Sequence, residues 1–295
     1  MKKRKGMQDR AVDIIFAILL IVIGIAMIYP LWYVIIASFS EPSAVASGKV
    51  FLIPAKFTLD GYRQLLERPE IWRGYANSLF YLFFGSFMSL VVTLPAAYAL
   101  SRKHLKGRRV LNFLFTISMY FSGGLIPTYL LHRTIGWIDT IWVLIIPSAL
   151  GVYNMILARN FFESSIPVSL YESAKLDGAS DFGFFFRIAI PLSKAIIAVI
   201  FLFSALQWWN EYMRFVIYID NPNLQSLQVI IRQITDELSE FETAMLSQAE
   251  IQAMQRNKDL LKFSVVVVAA LPFAIIYPFV QKYFNQGVMV GAVKE

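Results

Sequence analysis

Two groups of residues combine side-chain types and spacings that could do chemistry. In the first, Ser169 and Glu172 stand three apart and are followed by Gly178. That spacing is a capping box: the serine hydroxyl accepts from the backbone N–H of Glu172, and the carboxylate reaches back to the N–H of Ser169. Gly178 supplies a left-handed residue that would end a helix of about two turns. A second helix is then expected from Ser180 or Asp181 toward Pro191, with Ala174 and Ala179 keeping the surface small enough to enter a groove on another protein. A helix cap and a glycine corner with no further role would account for these residues as well. In the second group, Gln207, Asn210 and Glu211 lie within one helical turn, with Trp208, Trp209 and Tyr212 around them. Amides and carboxylates hydrogen-bond hydroxyls, and aromatic faces stack on sugar C–H surfaces, so this mixture suits a carbohydrate path. Polar groups in a membrane usually face a cavity or a partner. Two plainer readings stay open: a structural ion pair of Glu211 with Arg214 at i and i+3, and an aromatic belt at the membrane surface. Tyr153, Asn154 and Asn77 are weaker pathway candidates and serve equally well as hydrogen-bonding links between helices.

Catalysis is not expected. The 295 residues include no cysteine and two histidines, His104 and His132, which excludes thiolate metal sites and leaves little for imidazole chemistry. No G-x-x-x-x-G-K-S/T string is present, and Ser47-Gly48-Lys49 lacks the upstream glycine and the following hydroxyl. The chain is therefore expected to bind no metal or cofactor and to hydrolyse no ATP. Energy for any transport must come from a partner or an ion gradient.

The elements that would position these groups follow from composition. Charged residues make up 16% of the chain and hydrophobic ones 57%, against about 25% charged in soluble domains, and mean hydropathy is +0.58. Stretches free of Asp, Glu, Lys and Arg run over 14–37, 74–101, 110–132, 140–158 and 263–281, with a shorter one at 195–210. The five longer ones can each cross about 30 Å of hydrocarbon. The expectation is an all-α integral membrane protein with six transmembrane helices, near 13–38, 74–101, 109–132, 140–162, 192–219 and 262–283. The first apolar run is longer than a signal h-region, so Ala44-Val45-Ala46 is not expected to be a cleavage site. The Ser101–Arg109 loop holds five basic residues, and the N-terminus is equally basic. The positive-inside rule then puts residues 1–12, the 101–109 loop, the 164–191 loop and the 284–295 tail in the cytoplasm, and loop 220–261 outside. The net charge of +7 fits anionic lipid at the cytoplasmic face and needs no nucleic acid.

The string Glu172-Ser173-Ala174-x-x-Asp177-Gly178-Ala179, then Phe185, Ile188 and Pro191 at fixed offsets, resembles the E-A-A-x-x-D-G-A loop of ABC importer permeases. It departs at Ser173 for alanine and at Ile190 for leucine. Leu94-Pro-Ala-Ala-Tyr-Ala-Leu-Ser-Arg102, Trp209-Asn210-Glu211-Tyr212 and Gly287-Val-Met-Val-Gly-Ala-Val-Lys294 are similar to the maltose-permease-type, sugar-importing branch. The resemblance covers the chain from about residue 12 onward. It implies the type I ABC importer permease fold in a bacterial plasma membrane. It also implies a second homologous permease subunit, two ATPase subunits that use ATP and Mg, and an extracytoplasmic solute-binding protein. Ser169, Leu170, Glu172, Ser173, Ala174, Asp177, Gly178, Ala179 and Pro191 would then form the coupling helix and its flank. The branch also makes Asn221-Pro222-Asn223 the tip that would meet the binding protein. Cargo other than sugar stays open, as does a secondary transporter with Glu211 as its proton site. Beyond the tip, Leu227, Ile231, Ile234, Leu238, Phe241 and Met245 make an apolar stripe at helical spacing.

Overall fold

The computed structural model describes residues 7–240, 261–272, 274 and 275. Phe241 and Met245 of the stripe, the 284–295 tail and most of the second half of the expected sixth span lie outside these residues. The described residues are helical apart from loops and one isolated bridge between Ser40 and Phe57. The chain divides into two units, one of residues 1–69 with 233–272 and one of residues 70–232 with 273–295.

The first unit is led by α1, Met7–Ser38. Its apolar stretch Val12–Ser38 is long enough to cross a membrane, and none of its most hydropathic window is buried within the chain. A helix apolar all round and uncovered by its own chain belongs against lipid or a partner. Short helices α2 (Pro42–Ala46) and α3 (Asp60–Leu66) follow. α2 packs its Ala44 in a cluster with Ile36 of α1, and α3 is tied to the end of α1 where the Ser38 hydroxyl meets the Tyr62 hydroxyl at 2.7 Å; just before α3, Phe57 stacks on the Phe39 ring.

The second unit is organised by α4, Pro69–Ser101, whose 33 residues include a π-helical turn at Tyr81–Gly85. α4 is followed by α5 (Arg108–Ile117), α6 (Leu125–Thr134), α7 (Trp142–Ser148) and α8 (Val152–Ser165). Then come α9 (Val168–Leu176), α10 (Asp181–Leu192), α11 (Lys194–Trp209) and α12 (Met213–Tyr218). α13 (Leu227–Glu240) runs across the division between the units, and α14 (Leu261–Pro272) lies in the first. Lipid tails are as apolar as leucine, so close backbone approach and hydrogen bonds hold such helices together. Small residues allow that approach here. Ala97 and Ala158 are fully buried in the core shared by α4, α8 and α11. The Ser204 hydroxyl donates to Ser89 at 3.1 Å in the same interior. A Cβ at Gly85 would lie 2.2 Å from the Trp208 ring. The Trp208 ring of α11 thus packs directly against the π turn of α4.

Four expected spans have a counterpart by length and composition. Three are Val12–Ser38, Pro69–Ser101 and Trp142–Ser165, the last made of α7 and α8 with a short break over 149–151; the fourth is the pair α10 and α11, bent by 81°. The expected continuous helix over 109–132 is corrected: α5 ends at Ile117 and α6 begins at Leu125. Between them Gly124 takes φ +84°, a conformation open to glycine. The fifth span is also interrupted. Ser193, after Pro191, breaks the path between α10 and α11, and residues 210–212 separate α11 from α12.

Candidate functional site

α9 and the start of α10 form the knob expected from the sequence, with a different beginning. Ile166 is extended at φ −115°, as a residue before proline must be. Pro167 itself is the N-cap, and no side chain caps the helix. Ser169 therefore lies inside the first turn, and the expected capping box with Glu172 does not form. The C-terminal end matches the expectation. Gly178 has φ +81°, its N–H donates to Lys175 O at 3.1 Å, and the Ala179 N–H donates to Ala174 O at 2.9 Å, the two bonds of a Schellman motif. Ser180 then caps α10, its hydroxyl accepting from Gly183 N at 3.0 Å. Across the corner, the Tyr171 hydroxyl donates to the Asp181 carboxylate at 2.6 Å, and Lys175 Nζ lies 3.0 Å from the same oxygen. The hydrogen bond from Tyr171 is the main cause that holds the Asp181 carboxyl below its ordinary range. The hydrogen bond to Asp181 raises Lys175.

The two alanines turn inward. Ala174 is buried and Ala179 packs against the same core, so neither is the groove-entering surface expected of them. Ser169, Glu172, Ser173 and Leu176, at i, i+3, i+4 and i+7, are the exposed stripe of α9. Leu176 is 90% exposed and Phe182, just past the corner, 78%. Leu170, Asp177 and Pro191 are exposed too. The corner thus displays two large apolar side chains among polar ones. Leu176 and Phe182 were missed from sequence; the available signal was two large apolar residues beside the glycine of a polar loop.

At the far end of α11 the second group separates into core and surface. Trp208 is buried, stacked on Tyr81 at 6.1 Å and 15°, with the Arg214 guanidinium 5.4 Å from its ring centroid. Its faces are already taken, which corrects its assignment as a stacking surface for cargo. Arg214 Nε donates to the Glu211 carboxylate at 2.7 Å and its Nη1 donates to the Ser148 hydroxyl. Glu211 is thus held in the structural ion pair that the sequence left open. Asn210 is exposed and its amide donates to Leu206 O of its own helix. Gln207 and Tyr153 are exposed, Tyr212 is half-buried and Asn154 is buried.

The Asn221-Pro222-Asn223 segment is pinned by α4. Arg73 Nη1 donates to Asn223 Oδ1 at 2.7 Å. The Asn77 amide donates to Asn223 O at 2.8 Å and to Gln225 O at 2.9 Å, and the Tyr81 hydroxyl to Leu224 O at 3.0 Å. Residues 73, 77 and 81 lie one turn apart on a single helix face. That polar stripe was the signal for an anchored loop. From the other side, Asp139, itself at φ +60°, accepts from the N–H groups of Asp220 and Asn221 at 3.0 and 2.8 Å. Pro222 and Asn223 stay exposed at the tip. Ser78 Oγ accepts from Leu227 N at 2.9 Å at the start of α13. There Leu227, Ile230 and Ile234 are buried and Ile231 is half-buried, so the stripe as far as Ile234 is a packed face.

A helical chain with spans long enough to cross a membrane, a displayed corner and a pinned loop has the parts of a transport subunit. Residues 71–290 match the family described as binding-protein-dependent transport system inner membrane components. The chain belongs to that family. It is a non-catalytic transport component of a bacterial cell membrane, and membership implies a solute-binding protein and ATPase partners. Among similar curated proteins, the polygalacturonan/rhamnogalacturonan transport system permease protein YtcP of Bacillus subtilis (strain 168) is 38% identical, over 98% of this chain and all of that protein. Protein LplC of the same organism is 40% identical over 92% of this chain and 91% of its own length. A solved bacterial ABC transporter involved in the import of the acidic polysaccharide alginate contains a chain with TM-score 0.86 and 33% identity. That match covers 96% of this chain and all of the other.

Proposed function

We propose that the chain is one permease subunit of an ATP-driven importer that takes up a sugar or oligosaccharide handed over by an extracytoplasmic binding protein. The observation that carries this reading is the glycine-closed corner of α9 and α10, which turns Leu176 and Phe182 outward within a chain of this family. In the proposed assembly it pairs with a second, homologous permease. Six spans place both termini in the cytoplasm, and α9 docks into one of two ATPase subunits that bind ATP and Mg. This chain holds no cofactor of its own. Closure of the ATPases would move the knob, and through α10 and α11 rock the helices so that the pathway opens outward. Gln207, Asn210 and Tyr153 are the proposed solute contacts from this chain, with Glu211, Arg214 and Trp208 fixing the end of α11 behind them. The pinned 221–223 tip would meet the binding protein. An acidic oligosaccharide is the first cargo to test, because the solved neighbour serves an acidic polysaccharide.

The test is uptake into proteoliposomes that hold the purified complex, with alginate-derived and neutral oligosaccharides compared. Uptake that requires ATP inside and the binding protein outside is expected. Uptake driven by an ion gradient without ATP would overturn the proposal.

A further inference from the structure

We propose that the chain holds a site for the phosphate of an anionic phospholipid, built around Arg102 at the end of α4; the inference rests on the membrane placement proposed above. A cavity of about 880 Å³ is lined by Arg102, Lys103, His104, Arg108, Glu163 and Tyr171, from the ends of α4 and α8 and the starts of α5 and α9. Its only lining carboxylate, Glu163, is already engaged by Arg108 and lies 3.8 Å from Arg159 Nε. The wall therefore carries surplus positive charge.

Arg102 is the decisive residue. It is 9% exposed, and its Nε and Nη2 find no acceptor among the described residues. The guanidinium lies 4.4 Å from the Tyr98 ring centroid and 5.9 Å from those of Tyr171 and Phe184. Rings stabilise a guanidinium through its face, but its N–H edges still need oxygen. A buried cation without an anion is strongly disfavoured, and a phosphate is the geometric match for a guanidinium fork. Asp181, the acid of the neighbouring corner, meets Tyr171 and Lys175 and does not reach the Arg102 Nε or Nη2. His104 stacks on the Tyr171 ring at 5.5 Å, which fixes one edge of the site.

The setting favours a lipid over free phosphate. α5 starts at the cavity with Arg108 and has no buried residue, and its Val110, Phe113 and Leu114 are all more than half exposed. A second cavity of about 450 Å³ is lined by Lys103, Leu105, Gly107, Arg108, Arg109 and Val110, where that apolar face begins. A molecule with a phosphate head and acyl chains satisfies both the cations and the helix face. Inorganic phosphate satisfies only the first.

The test takes the whole purified complex, strips it of lipid and titrates it with phosphatidylglycerol or phosphatidylcholine, with or without inorganic phosphate. Retained lipid is read by native mass spectrometry. The complex should retain phosphatidylglycerol in preference to phosphatidylcholine, and Arg102→Gln should weaken that retention by about tenfold or more, the size of one charge-assisted hydrogen bond. Lys103→Glu alters an exposed side chain and should weaken retention in the same direction, so a folding defect of the Arg102 variant does not decide the question. Equal retention of the two lipids, or unchanged retention in both variants, would overturn the site. Displacement of the lipid by inorganic phosphate at equal concentration would overturn the lipid as its occupant. Failure of ATP-driven uptake with this retention pattern intact would refute the importer reading and leave the site standing.

Discussion

Replacing Gly178 isolates the backbone of the coupling corner from its side chains. Gly178 holds φ +81°, and a Cβ added there would meet nothing within 4 Å. Any effect of a substitution must then come from the left-handed conformation, which disfavours an ordinary L-residue by about 1–2 kcal/mol. That shifts the population of the closed corner by roughly five- to thirtyfold. Asparagine tolerates this region better than other residues, and a β-branched residue tolerates it worst. The expected order of solute transported per ATP hydrolysed, measured in proteoliposomes with saturating binding protein, is Gly178, then Gly178→Asn, Gly178→Ala and Gly178→Val. Insertion and assembly should stay normal, because the residue is exposed and outside the spans. If Gly178→Val couples as well as the unmodified chain, the corner does not transmit the movement. If Gly178→Asn is as damaging as Gly178→Val, the left-handed backbone is not the reason for glycine.

Three further outcomes follow from the geometry. Gly85→Ala would put a methyl 2.2 Å from the Trp208 ring and should destabilise the complex by about 1–3 kcal/mol, seen as a lower melting temperature that Trp208→Phe partly restores. Asn77→Ala removes both amide bonds to the 223–225 backbone and should speed protease cleavage in that loop; an unchanged cleavage rate would mean Arg73 and Asp139 suffice to hold it. The Asp181 carboxyl is held below its ordinary 3.8, so its contribution to the corner is complete above that value and is lost only as pH falls through the lowered one. Lys175 is held above its ordinary 10.5, so its contribution is complete below that value. Between these limits the pair keeps its charges, so coupling should not vary with pH through it, and Asp181→Asn should lower transport per ATP by the same factor throughout the range.

Local signals carried much of the fold. The uninterrupted apolar run over 14–37 foretold α1, and Gly178 with Ser180 foretold the corner and the helix after it, because turn chemistry depends on neighbours in sequence. What depended on distant partners was not legible. Ala174 looked like a small outward residue until the core containing Phe162 and Phe184 was seen to bury it. Trp208 looked like part of a sugar path, but it fills the space that Gly85 leaves in the π turn of α4. The break over 118–124 had its glycine pair in plain view, yet membrane helices often tolerate such residues, so pattern alone could not choose. Ser169 illustrates competition between nearby signals: Pro167, two residues upstream, set the helix start before the serine could cap it.

In the proposed assembly α9 and its corner grip an ATPase. The most direct measurement is extraction of the tagged chain from native membranes in mild detergent, with co-purifying proteins identified by mass spectrometry, for the unmodified chain and for Leu176→Arg. Leu176 is 90% exposed, so the change should leave the fold and the second permease in place. An ATPase with a phosphate-binding loop and a second permease should accompany the unmodified chain, and Leu176→Arg should lose the ATPase alone. Recovery of the unmodified chain without any ATPase, or full retention of the ATPase by Leu176→Arg, would contradict that contact.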